Sequence, residues 1–299
     1  MSKLTVSVLM GGPDAERDIS IQSGTAVATA LEQSGSFNVH KQIIDTPTIE
    51  DIRNIEADVI FPVLHGPFGE GGPLQQLLEE TQKTFVGSGS EAAALAMDKD
   101  ATKRFAVQEG IQTPAWCLLT PKSQCDIDPP IVLKPVEDGS SVGISICLTL
   151  EEVEAQCHLL LQERSEVLAE TFVQGRELTV GIIGGVPQPI IEIIPPHDLQ
   201  TYDYEAKYER DDTQYIIAPT LPANQCVEVA ISLYGGMGIR DIARVDFILN
   251  ETGTWLLEIN TMPGFTNHSL IPMASRHLGI EMPELCSSLV EFAATRRIK

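Results

Sequence analysis

The chain is short of positive charge: 20 Lys and Arg stand against 42 Asp and Glu in 299 residues, a formal net charge of −22. Nucleic acid and anionic membranes both need a basic footprint, so neither is expected as a partner. The same deficit removes long-range steering of a polyanion, so any nucleotide site must be built locally from a few cations and metal ions. Long apolar runs are missing too. None approaches the roughly 18 residues of a membrane span. Leu4–Met10 has no basic lead-in beyond Lys3 and no small-residue cleavage site, so it reads as a first strand and not as a signal peptide, and a cytoplasmic protein is expected. Six cysteines, at 117, 125, 147, 157, 226 and 286, make no C-x-x-C and no zinc spacing, as expected of reduced thiols. No G-x-x-x-x-G-K-[ST] occurs, which excludes a Walker-type nucleotide binder. There are no repeats and no low-complexity linker.

What is present centres on Arg244-Val-Asp246-Phe and Leu257-Glu258-Ile-Asn260. Each reads as a strand, with Asn250–Gly253 as the turn between them. Alternate side chains share a face, so Arg244 and Asp246 point one way, and so do Glu258 and Asn260. Pairing the strands gathers two carboxylates, an amide oxygen and a guanidinium on one patch. Hard oxygens of this kind suit Mg²⁺ shared with phosphates, and the arginine suits a phosphoryl or carboxylate oxygen. Short motifs of this kind also arise by chance. The flanking residues, from Ile242 to Leu249 and from Trp255 to Ile259, are nearly all apolar. A charge inside such strands is costly unless paired or metal-bound.

Residues 1–97 alternate strand and helix: strands at Thr5–Met10, Val39–Ile44, Asp58–Leu64 and Thr84–Val86, helices at Ile19–Leu31 and Leu74–Thr81. That alternation predicts a small parallel sheet with helices on its faces, with ligands beyond the carboxyl ends of its strands. Gly87-Ser-Gly89-Ser-Glu-Ala92 matches a dinucleotide fingerprint, but Glu109 lies in a helix and not at a strand end, so the match reads as a decoy. Residues 98–176 form a second unit, with helices at Asp98–Glu109 and Glu151–Glu163 and strands at Thr113–Leu119, Ile131–Lys134, Val142–Cys147 and Val167–Val173. Residues 177–299 form a third, with strands Leu178–Ile183 and Ile190–Pro195, a long polar and aromatic loop Asp198–Pro219, a helix Cys226–Gly235, the metal hairpin and a closing helix Met282–Thr295.

Four further constellations carry chemistry. Lys134 ends a strand, and the turn Gly139-Ser140-Ser141-Val-Gly143 after it can offer backbone N–H groups and hydroxyls to phosphate. Standing alone, it would more often be a plain Gly-Ser hairpin. Lys99 opens a helix against the helix dipole, which a bound anion would explain. Glu170-Thr171-Phe-Val173 and Glu177 put backbone groups and carboxylates at a strand exit. Tyr202–Tyr208 is the centre of the long loop and could close as a lid.

In chain order, Gly11-Gly12 with Ala15–Ser20, Leu64-His65-Gly66, Gly87-Ser-Gly89, Met97-Asp98-Lys99, Lys134-Pro135 with Gly139–Gly143, Tyr204–Tyr208, Arg244-Val-Asp246, and Glu258–Gly264 with His268-Ser269-Leu270 together resemble the D-alanine–D-alanine ligase family of the ATP-grasp superfamily. The resemblance runs the full chain. It implies an α/β, three-domain fold: an N-terminal substrate domain (1–97), a central ATP-grasp lobe (98–176) and a C-terminal lobe with the Mg and substrate sites (177–299). It implies an ATP-dependent carboxylate–amine ligase that makes D-alanyl-D-alanine through an acyl phosphate for peptidoglycan precursors. By the same resemblance Lys99, Lys134, Ser141 and Lys207 contact ATP phosphates, Glu170 and Glu177 the adenosine, and Thr171 and Val173 the adenine through their backbones. Asp246, Glu258 and Asn260 hold two Mg²⁺, with Mn²⁺ as a substitute. Glu16 binds the first D-alanine's ammonium near His65, with Ser140 and Tyr208 linked to Glu16. Arg244 and the Gly264 N–H stabilise an oxyanion, and Ser269 with Leu270 holds the second carboxylate. A homodimer is expected. Rival readings are a D-alanine–D-lactate ligase, which Tyr208 after Lys207 argues against, and a non-catalytic nucleotide sensor on the same fold, which need not keep catalytic metal ligands. The family usually reads Gly-Glu-Asp-Gly where this chain has Gly69-Glu70-Gly71-Gly72.

Overall fold

The computed structural model describes residues 3–123, 125–139, 143–196, 212–266 and 268–296. Strands β1 (Leu4–Gly11), β2 (Phe37–Ile44) and β3 (Val59–Pro62) form a parallel sheet in the order β2-β1-β3. β1 is buried almost throughout, as the near-continuous apolar run of a central parallel strand requires. Helix α1 (Arg17–Ser34) packs on this sheet and ends at Gly35 in the left-handed conformation. The expected strand at 84–86 is reduced to one bridge, Ile60 to Phe85.

Helices α2 (Ile49–Arg53), α3 (Gly66–Glu70), α4 (Pro73–Glu80) and α5 (Ser90–Met97) complete this part. Of these only α4 was legible in the sequence. α5 settles the dinucleotide fingerprint. Its N-terminal Ser90 is held by the chain's own Glu79, whose carboxylate accepts from the Ser90 N–H at 3.1 Å and from its hydroxyl at 2.5 Å. The positive helix end is therefore already satisfied by an acid.

Helix α6 (Lys99–Gln108) is capped by Asp98, which accepts from the Ala101 N–H at 3.0 Å. It leads to an antiparallel sheet of β4 (Trp116–Leu119), β5 (Ile131–Pro135), β6 (Ser145–Cys147) and β7 (Val167–Thr171), in the order β4-β7-β5-β6. Helix α7 (Leu150–Leu160) covers it, opened by a Thr149–Glu152 capping box. A second antiparallel sheet runs β11-β10-β8-β12-β13, with β9 (Val186–Pro187) on β8. Its other strands are β8 (Arg176–Ile183), β10 (Ile191–Ile194), β11 (Gln214–Ile217), β12 (Ile242–Asn250) and β13 (Gly253–Asn260). The expected loop 198–219 is thus partly a strand: Gln214–Ile217 pairs along the whole of β10. The rest of the proposed lid, with Tyr202–Tyr208, lies outside the described residues.

Helix α8 (Asn224–Gly236) packs on this sheet, α9 (Leu270–His277) follows the β12–β13 hairpin, and α10 (Met282–Thr295) closes the described chain. α10 crosses back: Leu285, Leu289, Val290 and Ala293 share one buried core with Val6, Val8, Leu31 and Val59 of the parallel sheet and its helix. All six cysteines are free thiols. Among the described residues no helix is long and apolar enough to cross a membrane.

Candidate active site

β12 and β13 pair so that Arg244 faces Asn260 and Asp246 faces Glu258, with a bulge after Asp246. Alternation then puts all four on one face, as the period of two predicts. Asp246 is 7% exposed. Its carboxylate accepts from Thr179 Oγ1 at 2.6 Å, from Arg244 Nε at 3.0 Å and Nη2 at 2.8 Å, and from Asn260 Nδ2 at 3.4 Å. Thr179 reaches it because β8 runs on the other side of β12, in register with Asp246. A buried carboxylate so bonded is held in one orientation. Among the described residues no three of His, Cys, Asp and Glu are grouped to hold a metal ion. Two carboxylates and an amide are nevertheless the donor set that Mg²⁺ uses when phosphates supply its remaining ligands.

A cleft opens beside this patch, bordered by Glu70, Met97, Lys99, Asp138, Glu258 and Asn260. Lys99, at the first turn of α6, is buried and not solvated. Its Nζ donates to the Asp138 carbonyl at 2.6 Å, and burial lowers its pKa. Lys134, at the end of β5, donates to Glu170 Oε1 at 2.6 Å. Glu170 on β7 is 3% exposed and its other oxygen meets Lys103 Nζ at 2.7 Å. Burial alone would raise this carboxyl, but Lys134 and Lys103 outweigh it and hold the pKa below the ordinary value.

Lys103 was not singled out in the sequence. It is wholly buried, and donates to Thr113 Oγ1 at 2.7 Å and the Pro114 carbonyl at 3.2 Å, with Trp116's ring 5.4 Å away. Burial pushes its ammonium down to about 8. The available signal was its spacing: Lys99 and Lys103 lie four apart, on one helical face.

Thr171 ends β7 with its N–H already given to the Ala115 carbonyl at 2.9 Å, so that N–H is not free for adenine. Val173 lies just past the strand, partly buried, and Glu177 sits on β8 opposite Ile248 of β12. Glu16 is the buried residue before α1. Gly139 comes so close that a Cβ there would stand 3.0 Å from Glu16 Oε2, which joins the Gly-Ser turn to the proposed first-substrate residue.

His65 precedes α3 and is buried, with no partner for Nε2. Burial chiefly, and the nearby Arg244 charge, push its imidazole down to about 4 against an opposing Met262 backbone hydrogen bond. It is therefore neutral at ordinary pH. Glu70, at the end of α3, was quoted in the sequence only for its motif. Burial, then Glu16, push its carboxyl up to about 8. Gly71, where the family usually has Asp, leaves no room for a side chain: an added Cβ would meet the Pro67 carbonyl oxygen at 2.4 Å.

A Cβ on Gly264 would lie 2.8 Å from Ser269 Oγ. Ser269 stands before α9, with Leu270 at its first position. The Ser269 hydroxyl accepts from the Thr266 N–H at 2.9 Å. Ser140, Ser141, Lys207 and Tyr208 lie outside the described residues. Of the expected residues, Lys99, Glu258 and Asn260 border one cleft, and Gly139 of that cleft reaches Glu16.

Comparison with known proteins agrees. The family descriptions "D-ala D-ala ligase N-terminus" and "D-ala D-ala ligase C-terminus" match residues 38–88 and 111–291. The D-alanine–D-alanine ligase of Bordetella petrii is 39% identical over 97% of this chain and 92% of its own. That of Aquifex aeolicus is 38% identical over 96% and 100%. Among solved structures, the D-alanine–D-alanine ligase of Bacillus anthracis complexed with ATP superposes with a TM-score of 0.84 at 28% identity, covering 99% of both chains. The Coxiella burnetii enzyme superposes with 0.86 at 26%, covering 99% and 95%. Fold and site thus define an ATP-dependent ligase, a small parallel α/β domain joined to two antiparallel lobes of the ATP-grasp kind. Within that class, the chain belongs to the D-alanine–D-alanine ligase family.

Proposed function

We propose that this ligase joins two D-alanines at the expense of ATP, giving D-alanyl-D-alanine for cell-wall precursors. The observation that carries the reading is the convergence on one cleft of Lys99, Glu258 and Asn260, with Gly139 leaning from the same cleft onto Glu16.

A carboxylate is a poor acyl donor, so the first D-alanine must be activated as an acyl phosphate before an amine can attack it. Asp246, Glu258 and Asn260 would hold two Mg²⁺, or Mn²⁺ in their place. Bound there, the ions would offset phosphoryl charge. Lys99 and Lys134 would leave their present partners for phosphate oxygens, joined by Lys207 and Ser141. Glu170 then keeps Lys103 as its counter-ion, so releasing Lys134 strands no buried charge. Glu177, with the backbones of Thr171 and Val173, would bind the nucleoside; at Thr171 the carbonyl is the candidate group, since the N–H is taken.

Glu16 would take the first ammonium, with Ser140 and Tyr208 linked to it. Arg244 and the Gly264 N–H would meet the tetrahedral oxyanion. The second carboxylate would bind at the start of α9, beside Ser269 and Leu270, where helix N–H groups point outward. His65, neutral at ordinary pH, would lie near the first D-alanine without adding charge.

We also propose the division into units at 97 and 176, a cytoplasmic location and a homodimer, which sedimentation would test. Phosphate release, measured over a panel of D- and L-amino acids and D-lactate, tests the reaction. Release with D-alanine alone is expected. Release only with D-lactate as second substrate would point to the ester-forming enzyme, and none with any pair would point to a sensor.

A further inference from the structure

The turn between β5 and β6 is held by more than its own strands. The Lys99 N–H donates to the Val136 carbonyl at 3.1 Å, and Lys99 Nζ donates to the Asp138 carbonyl at 2.6 Å. The Asp138 side chain is gripped from elsewhere. Arg164, just past α7, donates to Oδ2 through Nε at 3.1 Å and through Nη2. Gly143, at positive φ, lies against the same end of α7: a Cβ there would stand 3.2 Å from Leu160 Cδ2. One residue past Asp138, Gly139 touches the space of Glu16 Oε2.

These grips differ in what nucleotide binding would do to them. A phosphate oxygen would compete with the Asp138 carbonyl for the three hydrogens of the Lys99 ammonium, whose Nζ also lies 3.5 Å from the Val136 carbonyl. Arg164 has no such second duty: its side chain is about a quarter exposed and its other acidic neighbour is Glu163, 3.6 Å away. We propose that Arg164 is a positioning residue, the anchor that keeps Asp138 in place, and so Gly139 over Glu16, once Lys99 turns to the nucleotide. The proposal rests on the ligase reading given above, through the phosphate role of Lys99.

The charges facing Asp138 support this. Its charge is felt by Lys99 and by Asp14, whose carboxyl is raised mainly by burial and in small part by Asp138. With Lys99 drawn away and Arg164 removed, Asp138 would face an acid without a cation. It would move from the turn, and the nucleotide and first-substrate sites would loosen together.

The test uses the whole enzyme. Arg164→Gln is expected to raise the KM for ATP and for the first D-alanine by roughly two- to fivefold each, as for a partly exposed ion pair, with kcat changed less. Arg164→Lys should recover part of the loss, and Arg164→Gln with Asp138→Asn should be no worse than Arg164→Gln alone. A merely structural role would lower the active fraction, and so kcat, with both KM values unchanged. Unchanged KM values, or additive effects in the double variant, overturn the proposal. An inactive wild-type enzyme would instead overturn the ligase reading. Amide exchange then judges the anchor without turnover: with ATP present, residues 134–139 should exchange faster in Arg164→Gln than in wild type, and equal exchange overturns it.

Discussion

Glu170 sits between two ammonium groups, but the two lysines play different parts. Lys103 is fully buried with three protein acceptors; Lys134 has Glu170 alone among its described hydrogen bonds. Removing Lys103 leaves Glu170 with Lys134 as its cation but strips the buried Thr113 hydroxyl and Pro114 carbonyl of a donor, a loss of about 1–3 kcal/mol. Lys103→Met should therefore lower stability by about that amount in urea unfolding, and adding Glu170→Gln, which strands Lys134, should not recover it. Lys134→Ala should cost less stability and weaken ATP binding instead, measured by calorimetry; unchanged affinity would make Lys134 only a partner of Glu170. Glu258→Gln removes the proposed charged metal ligand opposite Asp246 and is expected to cut turnover by orders of magnitude with folding intact. Near-normal rates at saturating Mg²⁺ would refute the metal assignment. The hairpin residues were legible because a period of two and an apolar background expose a misplaced charge. Lys103 and Glu70 were not, since their partners lie far along the chain: Glu170 is 67 residues from Lys103, and no spacing motif marks the pair.

At the scale of elements, regular periodicity was readable and short or interrupted pieces were not. The bounds of α10 were read as they stand, because Pro283 opens it and an apolar stripe runs its length. β11 was hidden by the polar run before it. Its four residues are a strand because β10 offers them an edge, which is tertiary information. α5 was hidden behind Gly87 and Gly89, whose match to a dinucleotide fingerprint reads as a decoy without revealing the helix that follows. α10 also supports an expectation of its own. Leu289 is wholly buried in the core it shares with the parallel sheet, so Leu289→Ala should destabilise by about 2–5 kcal/mol. Thermal unfolding measures this, and a shift within error would mean the helix docks only loosely.

For the molecule as a whole, two buried groups shape the response to pH. His65 is pushed from 6.5 down to about 4, and Glu70 from 4.5 up to about 8. As pH falls from 6.5 towards 4 the unfolded chain gains a proton on His65 that the folded one refuses, so stability drops. As pH rises from 4.5 to 8 the folded chain keeps a proton on Glu70 that the unfolded one has lost, so stability drops in that direction. The two slopes oppose each other between 4.5 and 6.5, and of these two groups only Glu70 acts from there up to about 8. Metal-free protein should thus show a urea midpoint that declines from pH 6.5 to 8. Glu70→Gln should remove much of the decline; an identical profile would place Glu70 in a wetter setting.

The return of α10 to the parallel sheet has a consequence for synthesis. Val6, Val8 and Val59 leave the ribosome early, while Leu285 and Leu289, which cover the same core, follow only after both antiparallel lobes have been made. Domains generally fold as they emerge, N-terminal first. Here the first sheet must wait, one apolar flank bare, through most of translation. A nascent chain arrested before residue 282 should then be a client of holding chaperones, and arrest beyond 295, with the exit tunnel cleared, should release it.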